Sequence, residues 1–178
     1  MELEIIRRQI AYDPAYVDLE SWGQKEWKDQ KTNHILLHIG KASLKFAGRD
    51  LAKIQQEVIP DMAMATAQLV HLHGLNPHEI IGSERPPVLL SQMEGSLLAA
   101  TGYLASYLEP QEHGAVGDKG DVLDAAKQLY RFTRGIADFY GIDLVVAHRE
   151  RLAHLATVRP ERLAQPLVEA IATAGSEA

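Results

Sequence analysis

The sequence contains no cysteine among its 178 residues. Disulfide bonds, thiolate zinc sites and cysteine nucleophiles are therefore excluded. No run approaches the ~18 consecutive apolar residues that a membrane-spanning helix needs. The N-terminal stretch mixes both signs of charge and lacks the apolar core of a signal peptide. We therefore expect a cytoplasmic protein with no membrane partner.

Basic charge is also scarce, with 18 Lys and Arg against 24 Asp and Glu, a net charge of -6. No sequence-wide positive field exists to attract a phosphate backbone, so nucleic acid is not an expected partner. Hydrophobic residues make up 46% of the chain and charged ones 24%, which is typical of a globular protein. At this length we expect one domain over 1–178, with a frayed polar tail at 175–178.

Aromatic residues amount to only 6%, and alternating runs of β-branched residues are missing, which predicts an all-α fold. Residues 33–47 place an apolar stripe at helical spacing: Ile35, Leu36, Ile39, Ala42 and Phe46. Gly48 and Asp50 then predict a helix end and a cap for a second helix that reaches Gly74. The two helices are expected to form an antiparallel hairpin, with a kink or a late start at Pro60.

The second half repeats this order. A loop with three prolines follows Gly74, and helices are predicted over about 91–108, 121–140, 144–156 and 161–174, with Asp121 as a cap and Gly141 as a stop. Halves 1–82 and 83–160 thus read as two tandem helical hairpins. The alternative is that any four-helix bundle looks self-similar at this level. A pseudo-symmetric monomer and a homodimer both remain open.

One face of the first helix is basic. His34, His38, Lys41 and Lys45 are spaced by four, three and four residues, which places them on one side. This face predicts substrate binding through a phosphate or carboxylate, or a metal held by the two histidines. The alternative is a solvated face opposite the apolar stripe. Three further histidines fit no zinc spacing and are interpreted as loop residues: His71, His73 and His78.

Two groups of acids are candidate magnesium ligands. Glu57 and Asp61 lie one turn apart and face the basic side if the hairpin is antiparallel, so they are the candidate catalytic pair. Surface ion pairing is the alternative for them. Asp121 and Asp124 form a second pair, with Glu94 as a third ligand, although capping and the helix dipole also explain an acid in a first turn.

The segment HILLHIGKASLKFAGRDLAKIQQEVIPDMAMATAQLVHLHGLNPHEII resembles the MazG-like, all-α nucleotide pyrophosphohydrolases. In that family a Glu-x-x-Glu helix precedes a Glu-x-x-Asp helix that ends in a similar turn. The segment IADFYGIDLVVAHRERLAHL in the second half is similar to the end of the motif helix and the short helix after it. The resemblance implies a helical bundle whose four carboxylates hold magnesium and release pyrophosphate from a nucleoside triphosphate.

The motif positions are only partly kept. Asp61, thirteen positions before Gly74, matches the final Asp, whereas the preceding Glu falls on Val58, one residue and roughly 100° from Glu57. A distortion at Pro60 would bring Glu57 back. The two Glu positions of the first helix fall on His38 and Lys41, and the equivalent positions of the second half hold no acid: Ala100, Tyr103, Ala125 and Gln128.

Because cations at these positions repel magnesium, Lys41 is expected to replace the metal and to pair with Asp61. Three functions remain. The first is a magnesium-dependent pyrophosphohydrolase with ligands at displaced positions: Glu57, Asp61, Glu94, Asp121 and Asp124. The second is a non-catalytic module that binds a nucleoside triphosphate or regulates. The third is a helical protein-interaction module.

Overall fold

A computed structural model describes residues 3–16, 24–81 and 86–158, and these ranges contain helices and turns but no strand. The predicted all-α class is confirmed. The helices are α1 (Leu3–Tyr16), α2 (Gln24–Ala47), α3 (Leu51–Lys53), α4 (Ile59–His73), α5 (Pro77–Ile81), α6 (Leu90–Glu112), α7 (Lys119–Tyr140) and α8 (Leu144–Val158). A π-helical turn, Ile54–Val58, joins α3 to α4.

Helices α2 and α4 form the predicted antiparallel hairpin. Lys45 near the end of α2 pairs with Glu57 ahead of α4, and Thr32 near the start of α2 contacts His73 at the end of α4. Helices α6 and α7 form a second hairpin, which packs on the first through contacts of α4 with α7 and of α2 with α6. Helices α1 and α8 cover another side of α4.

The core lies where the two hairpins meet. Phe46 of α2 and Phe132 of α7 are fully buried and pack edge to face, with ring centroids 5.3 Å apart. Four residues of the predicted α2 stripe are buried, and Leu36 is partly buried. Gly135 allows the segment before α6 to approach α7, because a Cβ there would lie 2.7 Å from the carbonyl oxygen of Pro87.

The predicted stops at Gly74 and Gly141 are confirmed, and both glycines adopt the left-handed conformation, with φ of 56° and 68°. After each, the next amide bonds the carbonyl five residues earlier, at 3.0 and 2.8 Å. The following side chain, Asn76 or Asp143, then accepts from a backbone N–H of the next helix. The two halves therefore share a local geometry as well as an order of elements.

Several predicted boundaries were wrong. Helix α2 begins at residue 24, and α6 continues through Pro110 to Glu112, since a proline in the last turn removes only one backbone hydrogen bond. The cap of α7 is Asp118, not Asp121, because the Asp118 carboxylate accepts from the Gly120 N–H at 2.8 Å. Helix α8 continues to Val158. The predicted helix at 161–174 and the tail at 175–178 lie outside the described residues.

The distortion predicted at Pro60 takes the form of the π-helical turn. Proline has no N–H, so it cannot bond the carbonyl of Gln56 as an α-helix requires. The turn widens instead, and the Ile59 N–H bonds the carbonyl of Ile54, five residues earlier. A π-helical turn holds one residue more than an α-helical turn. The side chains before and after it therefore point in different directions from those of a continuous α-helix.

Two histidines are buried between helices. The ring of His148 on α8 is fully buried, its Nε2 lies 3.2 Å from Oε1 of Gln9 on α1, and its Nδ1 has no hydrogen-bond partner in the described ranges. His73 lies in the last turn of α4, with Nε2 3.0 Å from the Thr32 hydroxyl. Burial lowers the pKa of His73 and of His148 to about 4. The interpretation of His71, His73 and His78 as loop residues was therefore wrong, since all three are helical.

These buried histidines predict sensitivity to mild acid. Their folded-state pKa of about 4 lies below the unfolded value of 6.5, so the unfolded chain takes up protons first and stability falls as the pH drops through this window. We expect each to lower the free energy of unfolding by about 2 kcal/mol between pH 6.5 and pH 5. Urea denaturation at the two pH values should show a smaller loss of unfolding free energy in His148→Gln than in the wild-type chain. The exposed His113→Gln is the control and should lose as much as the wild-type chain. Equal losses in the two variants would contradict the assignment.

Candidate functional site

The basic face of α2 lines a pocket of about 350 Å³, which we call the cationic pocket. Helix α2 supplies one wall, α4 and α8 supply the opposite wall, and one residue comes from α1. The polar lining consists of Lys31, His34, His38, Lys41, Asp61, Gln68 and Arg151. The remaining lining is mostly apolar: Tyr12, Ile35, Met64, Ala65 and Leu155. Both walls of the pocket therefore carry charged and apolar side chains.

Helical spacing brings three of the four predicted substrate-binding residues into this pocket. His34 and His38 lie one turn apart with ring centroids 4.5 Å from each other, and Lys41 follows on the same side. Lys45 does not line the pocket, because it pairs with Glu57. The periodicity of α2 thus identified most of one wall.

Asp61, on the opposite wall, is held by an arginine from α8. Arg151 donates to both carboxylate oxygens, at 2.8 Å from Nε and 3.2 Å from Nη2, and both side chains are less than one fifth exposed. Burial raises the pKa of Asp61, and the hydrogen bonds and charge of Arg151 oppose that rise. The expected pairing of Asp61 with Lys41 was wrong. Helix α8 packs on α4 and presents a guanidinium, whose planar fork fits a carboxylate.

The other candidate acid, Glu57, lies in the π-helical turn, four residues before Asp61. Glu57 is hydrogen-bonded to Lys45, which holds the pKa of Glu57 below its usual value, and its charge contributes to the raised pKa of Asp61. Glu57 lines a second cavity, of about 690 Å³, between the π-helical turn and α8. Arg151 lines both cavities, so the two sites adjoin.

The charges around the cationic pocket favour an anion. Partial burial, followed by the charges of His38 and nearby lysines, lowers the pKa of His34 to about 4, and burial with the Lys41 charge lowers that of His38. Both rings are therefore neutral at pH 7. Lys41 and Arg151 bring positive charges to the pocket, and Asp61 is the one carboxylate among the described lining residues. The lining carries an excess of positive charge.

The other predicted metal ligands lie elsewhere. Glu94 pairs with Arg49 at 2.7 Å, and Asp124 pairs with Lys127 on its own helix at 3.4 Å. Neither these acids nor Asp121 line either cavity. No group of three His, Cys, Asp or Glu residues that could hold a metal ion occurs within 3–16, 24–81 and 86–158. The predicted five-ligand set is therefore not assembled in these ranges, since Glu94 and Asp124 are held in ion pairs on α6 and α7, whereas Glu57 and Asp61 pair with Lys45 and Arg151.

Sequence reasoning missed Arg151, which completes the site. It lies 90 positions after Asp61, and no periodicity connects residues that far apart. The one available signal was its place in the segment 136–155, which is similar to the end of the MazG-like motif. Tyr12 and Leu155 were likewise not identified, since their helices meet only in the folded chain.

The comparisons with known proteins do not indicate a chemistry for the site. No protein-family model, no curated protein and no solved structure matches this chain. Among the described helices, none is both long enough and apolar enough to cross a membrane. The likeness to MazG-like enzymes thus rests on the segments 34–81 and 136–155 alone.

The Asp61–Arg151 pair predicts a strong stability effect when one partner is removed. Arg151→Met leaves a poorly solvated carboxylate without a counter-charge, so we expect a loss of about 2–4 kcal/mol at pH 7. The loss should shrink toward acid pH, where the carboxyl is neutral. The double variant Asp61→Asn with Arg151→Met should recover part of it in urea denaturation.

An exposed ion pair on α7 provides the matched control. Arg134 and Asp138 are spaced by four residues, and both side chains are more than 40% exposed. Arg134→Met should cost about 0.5 kcal/mol or less. A loss for Arg151→Met no larger than this would show that the Asp61 pair does not hold α8 against α4.

Proposed function

We propose that the cationic pocket binds a nucleoside phosphate without a resident metal, and that the chain is a non-catalytic, nucleotide-binding relative of the MazG-like pyrophosphohydrolases. One observation carries the proposal. Among its described lining residues, the pocket sets Lys41 and Arg151 against one carboxylate, that of Asp61, which Arg151 already neutralises. Lys41 occupies a position at which the resembling enzymes have an acid that holds magnesium, so its ammonium group would perform the neutralising role of the metal here.

The donors available to a phosphate support this role. A guanidinium carries five N–H donors, and Asp61 accepts from two nitrogens of Arg151, so further donors remain for a ligand. Lys41 adds an ammonium group on the facing wall. The positive charges of Lys41 and Arg151 outnumber the single carboxylate of Asp61 and would attract a phosphate, and partial exclusion of water would strengthen the attraction.

The apolar part of the lining favours an organic group on the phosphate. It includes Tyr12, Met64 and Leu155, which come from α1, α4 and α8. Aromatic and thioether side chains pack well on a planar base, and the volume is at the lower end of the ~300–1,000 Å³ typical of ligand sites. The adjoining second cavity, reached past Arg151, provides room for the rest of a nucleotide.

Titration calorimetry in the presence of EDTA tests the binding. We expect nucleoside mono-, di- or triphosphates to bind without magnesium, and Lys41→Ala to weaken the affinity about tenfold because one charge-assisted contact is lost. Lys127→Ala is the matched control, since Lys127 pairs with Asp124 on α7 and does not line the pocket. Equal affinities of the two variants, or no heat with any of these ligands, would refute the proposal.

A second candidate is the pyrophosphohydrolase with displaced ligands. The observation that favours it is the neighbourhood of two carboxylates four residues apart, since the charge of Glu57 contributes to the raised pKa of Asp61. This function requires pyrophosphate release that depends on magnesium or manganese and is lost in Asp61→Asn and in Glu57→Gln. Such turnover would contradict the non-catalytic binding role. Binding in the absence of metal, without turnover, would support the binding role.

Phosphate binding should also take up protons. The pKa of His34 is about 4 in the free pocket, and a neighbouring anion raises it because the charged imidazolium is then stabilised. The complex therefore holds more protons than the free protein in the window above pH 4. We expect calorimetry in two buffers of different ionisation enthalpy to show net uptake at pH 5.5, reduced in the double variant His34→Gln with His38→Gln. Unchanged uptake in that variant would place the anion away from the histidines.

A further inference from the structure

Helix α1 is held against α8 by a buried hydrogen bond. Gln9 of α1 and His148 of α8 are both fully buried, and Oε1 of Gln9 lies 3.2 Å from Nε2 of the imidazole. Because an amide oxygen only accepts, Nε2 carries the proton and donates. The other ring nitrogen, Nδ1, is then an acceptor, and it is buried without a hydrogen-bond partner among the described residues. The ring therefore fits this place in its neutral form.

The buried imidazole has no counter-charge among the described side chains around it. A second proton would go to Nδ1, where it meets no acceptor, and the charge of Arg8 on α1 opposes it. Glu4 pairs with Arg8, whose Nη1 is also buried without a partner there. Helix α4 carries one acid, Asp61, which Arg151 holds, and Glu150 lies two residues from the ring on α8 and so on another side. A charged ring is therefore incompatible with this contact.

Helix α1 can leave while the other helices stay folded. It packs mainly on α4 and α8 and, besides Gln9, buries three apolar side chains: Ile5, Ile6 and Tyr12. Helix α8 has a separate attachment to α4, the Asp61–Arg151 ion pair, and the core between the two hairpins is built around Phe46 and Phe132. Opening one helix on the side of a bundle costs less free energy than unfolding the whole domain.

The same helix forms one side of the cationic pocket. Tyr12 is almost fully buried, lines the pocket and packs with Leu152, Met64 and Leu155. We propose that protonation of His148 releases α1 from α4 and α8 and so opens the cationic pocket on the side of Tyr12. The release is independent of the ligand, whereas any effect on nucleotide affinity rests on the proposed function.

The size of the effect depends on the two states of the ring. Burial, followed by the charge of Arg8, lowers the pKa of His148 to about 4 when α1 is in place, whereas a solvated imidazole has a pKa of 6.5. The released state binds more protons between these values, so the equilibrium moves toward release as the pH falls. Between pH 7 and pH 5 this shift amounts to about twentyfold.

Hydrogen exchange of the full chain, measured by mass spectrometry, tests the release. The exchange rates of α1 and α7 at pH 7 and at pH 5 are each divided by the intrinsic rate at that pH. We expect α1 to be less protected than α7 at both values, because α1 opens alone, and to lose about twentyfold of its protection at pH 5. In His148→Gln the loss should be no more than about twofold, since the group that titrates is gone.

The matched control is His73→Gln. His73 is also buried with a pKa of about 4, but its ring contacts Thr32 of α2. If α1 is released locally, its loss of protection in acid persists in this variant. If α1 exchanges only when the whole protein unfolds, the loss in α1 becomes smaller in His73→Gln as well.

Two results would overturn the proposal. One is equal protection of α1 and α7, because α1 then opens only with the whole protein. The other is a loss of α1 protection in His148→Gln as large as in the wild-type chain. If His148→Gln leaves α1 unprotected already at pH 7, Arg8→Met decides. Without the Arg8 charge the buried ring accepts a proton more readily, so the loss must be smaller than in the wild-type chain, and an equal loss overturns the proposal.

Discussion

Asp61 is almost enclosed between α4 and α8, and the guanidinium of Arg151 is its counter-charge, at 2.8 Å. A carboxylate withdrawn from water is costly unless an opposite charge and hydrogen bonds replace its solvation. This requirement holds α8 against α4. It also places Arg151 on the boundary between the two cavities, so that a single ion pair positions the walls of both. The arrangement of the site therefore depends on a counter-charge for the Asp61 carboxylate that the chain itself supplies.

The same pair determines which ligand charge the pocket favours. With Asp61 paired to Arg151, Lys41 leaves a net positive charge among the lining residues that the structure describes. A metal cation would meet repulsion there, whereas a phosphate would meet ammonium and guanidinium donors.

Helix α2 illustrates how one helix serves several surfaces. At about 3.6 residues per turn its side chains divide among a buried stripe around Phe46, a flank that lines the cationic pocket and an outer side that bears Leu37 and Leu44. Pro60 has a comparable local effect on the next helix. Its missing N–H widens one turn into a π-helical turn, in which the Ile59 N–H bonds the carbonyl of Ile54, five residues earlier.

Local patterns in the sequence determined the all-α class, the α2–α4 hairpin, the glycine stops at 74 and 141, and the shared side of His34, His38 and Lys41, because helical periodicity and left-handed glycines act over a few residues. The partner of Asp61 was decided only by the tertiary structure, since Arg151 lies on a distant helix. The separation of Glu94, Asp121 and Asp124 from the pocket was decided there too. Periodicity predicts which side of a helix a residue occupies, and only the packing of the helices determines what that side faces.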